Sequence, residues 1–470
     1  MQKAASTSWL EDLEMGGQRL SKRERITAMT EGVIWKQLLF FFFPIVLGTF
    51  FQQLYNTADA AIVGNGVNKL ALSAVGGTTA SLVNLLVGFF IGVASGATVI
   101  ISQFYGARQE KDVSRAVHTA AAMSLLFGAA LSVLGFFLSP WLLTVTNTPS
   151  DVMPYALAYI RVIFLGMIPS LAYNIGSGIL RAAGDSRHPL YFLIAACLTN
   201  ILLDLLFVLV FHMGVTGAAL ATVLSQCLSA SLVILSLVRR KDCLRLFPLR
   251  IRLDLSLFRR ISAIGLPAGL QSVMYSVSNV IIQRAINGFD TDILAGWTSY
   301  GKLDGLYWMT VNAFGIAITT FVGQNYGAGK YDRVRKGIRS CLMMCVIATG
   351  FLSVAMYFGG GLLFRLFTQD EAVIRQGVRI LRLLVPFYCT YIPIEILAGA
   401  MRGAGDTLIP TVMTLFGVCL LRVVWVLVIV PMKPAVEMVL YSYPITWILT
   451  STLFIIYYYR GHWMHRRAGA

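Results

Sequence analysis

The stretch QFYGA at residues 103–107 returns as QNYGA at residues 324–328. A second stretch, RAAGDS at residues 181–186, returns as RGAGDT at residues 402–407. Both pairs are 221 residues apart, and two separate motifs do not share one offset by chance. The sequence therefore indicates one structural unit that is used twice.

The composition places this repeated unit in a membrane. Of 470 residues, 57% are hydrophobic and only 13% are charged, whereas soluble domains are about 25% charged. The long apolar runs show no alternation of polar and apolar positions. Backbone groups in lipid must be hydrogen-bonded within the protein, so such runs predict helices. We therefore predict an all-α integral membrane protein in a lipid bilayer.

Twelve transmembrane helices are expected, six in each repeat. They are predicted at residues 34–63, 70–105, 112–138, 152–181, 189–211, 214–238, 258–287, 292–326, 333–360, 372–402, 410–431 and 436–459. An even number per repeat gives two parallel six-helix repeats with a central cleft between them.

The predicted domains follow from this count. Residues 31–238 form an N-lobe and residues 258–460 form a C-lobe. A basic linker at 239–257 joins them, and polar tails occupy 1–30 and 461–470. Most of the 38 lysines and arginines lie in alternate loops, the linker and the tails. Because basic residues stay on the cytoplasmic side, we expect both termini and the linker to be cytoplasmic.

Ionisable residues inside apolar helices are candidates for function, because charge is costly in hydrocarbon. The first repeat offers Asp59 and Asp204, and Asn200 lies one turn before Asp204 on the same helix face. Asn174 and Thr222 face the same space if their helices pack nearby. Two carboxylates in a dry bundle repel each other, so they would share a proton or a sodium ion. The alternative is a structural role at backbone ends or with other partners.

The second repeat carries a different set of ionisable residues. At the 221-residue offset, Glu395 takes the place of Asn174 and Trp425 takes the place of Asp204. The two halves therefore share a frame but not a site. Either a substrate cleft or a structural salt network would account for the charges of this half. The cleft candidates from both halves are Gln52, Tyr55, Tyr275, Lys302, Asp304 and Glu395.

Several other classes of function lack their motifs. The stretch GQNYGAGK at 323–330 resembles a phosphate loop but has Gln324 where glycine is required, and Tyr331 follows its lysine in place of serine or threonine. We therefore expect no nucleotide and no organic cofactor. The net charge of +16 lies in loops, so no nucleic acid is expected. His462 and His465 lack companion ligands, and no metal is expected beyond a sodium ion. No nucleophile–base set is evident, so the chain is not expected to be an enzyme.

Twelve helices in two repeats, TADAAIVG at 57–64, and the two duplicated motifs together resemble the multidrug and toxic compound extrusion (MATE) family. The resemblance covers about 31–460 and implies two bundles in a V shape that alternate between outward-facing and inward-facing states. It implies export of drug-like, often cationic compounds from bacteria across the plasma membrane in exchange for H⁺ or Na⁺, by a monomer.

The resemblance also implies a cation site in the first lobe. The family's prokaryotic members with such a site match this chain at Asp59, Asn174, Asn200, Asp204 and Thr222. The branch that binds its cation in the second lobe uses acids in helices 7 and 10. Predicted helix 7 has no acid here, and Glu395 is shifted.

A flippase for lipids or lipid-linked oligosaccharides, from the same wider superfamily, is the alternative function. Lys302, Arg284 and Arg422 would suit its anionic head group, whereas the two acids of the first lobe would not. A channel or receptor is less consistent with a two-fold repeat that carries buried acids.

Overall fold

The computed structural model describes residues 29–366, 368–461 and 463–464, and the regular structure of these ranges is helical. The predicted tails lie largely outside the described residues, as do the two histidines considered for metal binding. The long helices are α1 Ile34–Gly66, α2 Thr78–Gly106, α3 Glu110–Val145, α4 Met153–Leu165 and Met167–Ala182, α5 Arg187–Val210, α6 Gly214–Val238, α7 Leu255–Ile286, α8 Thr291–Gly327, α9 Tyr331–Arg365, α10 Glu371–Ala404, α11 Leu408–Met432 and α12 Val436–Arg460.

Length and hydropathy qualify eleven of these elements as membrane spans. Ten are helices with few breaks, and the eleventh is α4, whose two parts meet at a bend of 49°. The twelfth, α7, has 32 residues and is long enough to cross but more polar. Its Gln271 is buried, so at least one polar side chain of α7 faces protein rather than lipid. The chain is a multi-span membrane protein.

Two helices that were each predicted as one run are divided, and one of them is the fourth, predicted at 152–181, which bends between Leu165 and Met167. The second helix, predicted as one run over 70–105, is divided at Gly77 into a short helix Lys69–Gly76 and α2. Asn68 caps the short helix by accepting a hydrogen bond from the Ala71 N–H at 2.7 Å. Such a cap supports a separate helix start at this point.

The helices alternate in direction, so each lobe has the same two ends. We call the face at which α1, α3, α5, α7, α9 and α11 begin the tail face, and the opposite face the far face. The repeated motifs QFYGA and QNYGA end α2 and α8 at the tail face. The motifs RAAGDS and RGAGDT follow α4 and α10 at the same face.

The first helix of each repeat packs on both lobes. The first half of α1, including Leu38 and Phe42, lies in the hydrophobic core of the C-lobe, where the Phe42 ring stacks on Phe314 with centroids 4.0 Å apart. Its far half reaches the N-lobe core through Val63. The first half of α7, including Ile261, lies correspondingly in the N-lobe core. The lobes therefore exchange half-helices at the tail face.

Glycines allow α2 and α7 to touch along the boundary between the lobes. A Cβ on Gly92 would lie 2.5 Å from the Gly269 Cα, and a Cβ on Gly96 would lie 2.3 Å from the Ile261 carbonyl oxygen. The backbones are thus in direct contact, as small residues permit in membrane helices. We call this contact the glycine seam. It runs along the tail-side half of both helices.

Candidate functional site

The two acids of the first lobe lie against each other. Asp59 comes from the far half of α1 and Asp204 from α5, and their carboxyl groups are close enough to interact electrostatically. Asp59 is 5% exposed and Asp204 is fully buried. Among the described residues, neither oxygen of Asp204 has a hydrogen-bond partner, and neither does Asp59 Oδ1. Burial without donors is unfavourable for a carboxylate, so the pair needs a proton or a cation.

Asn200 and Thr222 extend this unpartnered set. Asn200 lies one turn before Asp204 in α5 and is 1% exposed, and both polar atoms of its amide lack partners among the described residues. Thr222 is buried on α6, which packs against α5, and its hydroxyl also lacks a hydrogen-bond partner in the described part of the chain. Sequence spacing placed Asn200 correctly beside Asp204, because a separation of four residues fixes a shared helix face.

Asn174 is engaged differently from the other four predicted residues. It is half-buried on the second part of α4, and its Nδ2 donates to the Ser170 carbonyl oxygen at 2.9 Å within the same helix. This bond directs the amide nitrogen toward its own backbone. The side-chain oxygen is the atom of Asn174 that remains suited to a cation.

The backbone beside Asp204 is irregular. A wide π-helical turn, Leu205–Val210, follows the acid directly. The corresponding helix of the second lobe also has one, Leu415–Leu420, but this turn precedes Trp425, the counterpart of Asp204. Wide turns of this kind are frequent at functional sites because they redirect side chains and carbonyl groups.

Tyr159 is a site residue that sequence reasoning missed. It is buried on the first part of α4 and lies within electrostatic range of Asp59, Asp204 and Tyr55. Tyr55 is half-buried on α1, one turn before Asp59, and its hydroxyl is near the Gln52 side chain. A tyrosine in an apolar run carries no signal of its own, and only the packing of α4 on the site identifies it.

Asp304 of the second lobe is fully supplied with donors. It accepts hydrogen bonds from the Tyr388 hydroxyl at 2.6 Å, the Trp308 indole at 2.8 Å and the Tyr300 hydroxyl at 3.1 Å. Tyr307 stacks on Tyr388 with ring centroids 4.0 Å apart. These three donors satisfy the carboxylate oxygens, unlike those of the acid pair in the first lobe. The structure therefore places Asp304 in a hydrogen-bonded aromatic cluster.

The remaining candidates of the second lobe fall into two groups. Glu395 forms an ion pair with Arg402 at 3.3 Å, and Gly315 of α8 leaves room for its carboxylate. Tyr275 shares a hydrogen bond with Tyr391 at 3.0 Å. Lys302, by contrast, is exposed on α8, as Gln52 is on α1. Gln52 and Lys302 are thus the predicted cleft residues whose side chains are exposed.

The second lobe thus replaces the acid pair with other chemistry. Trp425, at the place of Asp204, donates to the Met438 carbonyl oxygen at 2.8 Å. Arg422 lies 4.1 Å from the centroid of the Tyr443 ring and donates to Thr446 at 3.2 Å. This lobe has an arginine under an aromatic ring, three residues before the position that corresponds to Asp204.

The first lobe contains a set of oxygen atoms suited to a small hard cation. Five buried oxygens lack partners among the described residues: Asp59 Oδ1, both oxygens of Asp204, Asn200 Oδ1 and Thr222 Oγ1. Carboxylate, amide and hydroxyl oxygens are the ligands that hard cations prefer, and the acid pair accepts a proton equally well. The arrangement fits either ion.

Two repeats of six helices, joined across a glycine seam with buried acids in one lobe, define a membrane transport protein. The MatE family model matches the chain twice, at residues 44–206 and 267–428. The chain belongs to this family.

Known proteins resemble it over most of its length. "Probable multidrug resistance protein YpnP" of Bacillus subtilis is 30% identical over 398 residues, which are 84% of this chain and 88% of YpnP. A protein named "FAD transporter" from Shewanella oneidensis is 25% identical over 317 residues, 65% of this chain and 68% of that protein. A crystal structure of a MATE transporter in its bent conformation has a TM-score of 0.87 at 20% identity, covering 96% of this chain and all of that one.

Proposed function

We propose that the protein is a secondary antiporter that exports organic, often cationic compounds in exchange for H⁺ or Na⁺. The observation that carries this proposal is the set of buried oxygens at Asp59 and Asp204 that lack hydrogen-bond partners among the described residues. A coupling ion supplies what these oxygens lack. The relatives named for multidrug resistance support organic compounds as cargo.

The tail face is the cytoplasmic face in this proposal, because most lysines and arginines lie there. Both termini are then cytoplasmic, in the plasma membrane of a bacterium, and a monomer contains the whole site. The tail face is closed by the glycine seam. Gln52 and Lys302 are exposed in the membrane helices, which is consistent with a cleft open to the far face.

Helix α1 connects the ion to the lobes. Its far half carries Asp59, and its first half belongs to the C-lobe core. Pro44 lies in the first half of α1 and Gly48 follows one turn later, and a proline inside a helix removes a hydrogen bond and permits bending. Binding of a cation relieves repulsion between the acids, changes how α1 packs, and thereby changes the cleft.

Coupling requires that ion and drug prefer different states of the protein. The ion bound at the acid pair lowers the affinity of the cleft for the drug while the cleft faces outward. The lobes then move and the ion leaves to the cytoplasm. The acid pair, which no longer holds an ion, is charged again, and this restores drug binding. We place Gln52, Tyr55, Tyr275 and Lys302 in the cleft, and Asp304 and Glu395 in its supporting wall.

The lipid flippase remains less favoured by the geometry. Of the basic residues that would suit its anionic head group, Arg422 is buried under Tyr443. Its charge therefore interacts with the Tyr443 ring inside the C-lobe instead of with a head group.

The test is transport by purified protein in liposomes. A fluorescent organic cation is loaded, and a pH or Na⁺ gradient is imposed. We expect Asp59→Asn and Asp204→Asn to reduce gradient-driven transport at least tenfold, while Asp151→Asn, at an exposed loop acid, behaves as the unmodified protein. Transport that persists in both site variants would refute the site.

A further inference from the structure

The duplicated motifs bind each other's lobe by a reciprocal pair of hydrogen bonds. Gln103 Nε2 donates to the Gly403 carbonyl oxygen at 2.8 Å. Gln324 Nε2 donates to the Ala182 carbonyl oxygen at 2.7 Å. Donors and acceptors are both related by the 221-residue offset, so each QxYGA glutamine holds the RxAGD segment of the opposite repeat. Both glutamines are buried.

The helix ends that carry these glutamines cross in backbone contact. A Cβ on Gly106 would lie 1.9 Å from the Gln324 carbonyl oxygen, and one on Gly327 would lie 2.0 Å from the Gln103 carbonyl oxygen. No other residue fits either position without separating α2 from α8. The closed tail face therefore depends on both glycines as well as on both glutamines.

A short segment before α1, residues 29–32, packs against the crossing of the α2 and α8 ends. We call this segment the strap. The Met29 N–H donates to Gln324 Oε1 at 2.8 Å, so this glutamine binds the strap with its oxygen and the opposite lobe with its nitrogen. The Met29 carbonyl oxygen accepts from Asn325 Nδ2 at 3.1 Å. The Met29 side chain is 3% exposed within the C-lobe core.

The strap is held mainly by one arginine of the C-lobe. Arg333, at the start of α9, donates to the carbonyl oxygens of Met29, Glu31 and Gly32 and to the Gln37 side chain, at 2.7–3.3 Å. Glu31 reaches the other lobe through an ion pair with Arg108 at 3.5 Å. The strap also borders a cavity of about 250 Å³ whose lining includes Arg108 and the residues of both repeat loops.

We propose that the strap and the two repeated glutamines form a lock on the tail face, and that the strap sets how often this face opens. The lock is asymmetric, because the strap binds Gln324 and not its counterpart. The inference rests on the alternating access proposed above. It assigns the N-terminal segment a regulatory role: release of Met29 frees Gln324 and weakens the hold on Ala182.

The experiment measures hydrogen–deuterium exchange of the protein in lipid nanodiscs. The readout is the N-lobe segments 100–109 and 178–184, which form the N-lobe side of the crossing. We expect about fivefold faster exchange for each hydrogen bond lost. Gln103→Ala should show this increase, and Gln324→Ala a larger one, because it loses two bonds.

Arg333→Ala tests the strap alone, since it leaves both glutamines intact. It should increase exchange in the N-lobe segments at least threefold. Arg335→Ala is its matched control, because Arg335 is exposed two residues further along α9, and it should have no effect. Gln369→Ala, at an exposed glutamine, is the control for the two glutamine variants.

The outcomes separate the lock from the transport mechanism. Exchange in Arg333→Ala that equals exchange in Arg335→Ala would overturn the role of the strap. If Gln324→Ala fails to fold, Gln103→Ala and Arg333→Ala decide the question. Normal transport by both Asp59→Asn and Asp204→Asn would refute the proposed ion site but leave the exchange result unaffected.

Discussion

The glycine seam between α2 and α7 makes a quantitative prediction. In Gly92→Ala, the new Cβ would lie 2.5 Å from the Gly269 Cα, whereas carbon atoms in contact lie about 3.5–4.0 Å apart. The helices must therefore separate by about 1–1.5 Å at this level. Overpacking of this kind costs about 1–3 kcal/mol. The second half of α7 lies in the C-lobe core through Ile282 and Ile286, so displacing its first half from α2 moves the lobes apart without unfolding either one.

The closed tail face should consequently lose population by about 5- to 150-fold relative to the open one. Exchange at the segments 88–100 and 261–273 measures this opening, and a thermal melt measures folding. We expect faster exchange, slower transport and a melting temperature within about 3 °C of the unmodified protein. Gly350→Ala is the control, because its Cβ would meet no atom within 4 Å. Exchange and transport at unmodified levels in Gly92→Ala would show that the seam is not tight in the working protein.

Three further changes have defined outcomes. Glu395→Gln leaves Arg402 without its carboxylate and should lower stability by about 1–3 kcal/mol, seen as a lower melting temperature; an unchanged melt would contradict this. Tyr159→Phe keeps the buried ring but removes a hydroxyl that lies within electrostatic range of both acids, so the ion dependence of transport should shift about fivefold while the melting temperature stays constant. Although burial alone would raise it, the pKa of Asp185 is held below its usual value by His188 and Arg240. This stabilisation is full above pH about 4 and disappears as the pH falls through the lowered pKa, so Asp185→Asn should flatten the fall in melting temperature between pH 5 and 3.

Periodicity and the repeat offset predicted most of the fold. The first helix was predicted at residues 34–63 and is observed at Ile34–Gly66, because apolar length and flanking polar loops fix both ends of a membrane helix. The offset of 221 residues also placed equivalent motifs on one face. The exchange of half-helices between the lobes carries no local signal, since Phe42 looks the same whichever lobe its ring contacts.

Helical periodicity also predicted part of the candidate site from the sequence. Asp204 and Asn200 share a face through helical spacing, and both prove to be buried without partners. The surroundings of Asp304 depend on Tyr388, which is 84 residues away, so its three donors were not foreseeable. Tyr159 likewise requires the packing of α4 to be known. The sequence shows which helices carry charged residues, whereas the tertiary structure determines which of these residues already have hydrogen-bond or ion-pair partners.

The exchange of half-helices has a consequence for biosynthesis. Phe42 finds its partner Phe314 only after a further 272 residues have been made. At about 5–20 residues per second, that delay is roughly 15–50 s. During this time the newly inserted first lobe exposes the face of α1 that the second lobe will cover, and its own core lacks Ile261. Neither half is a complete folding unit, and a stalled nascent chain would be a target for membrane quality control.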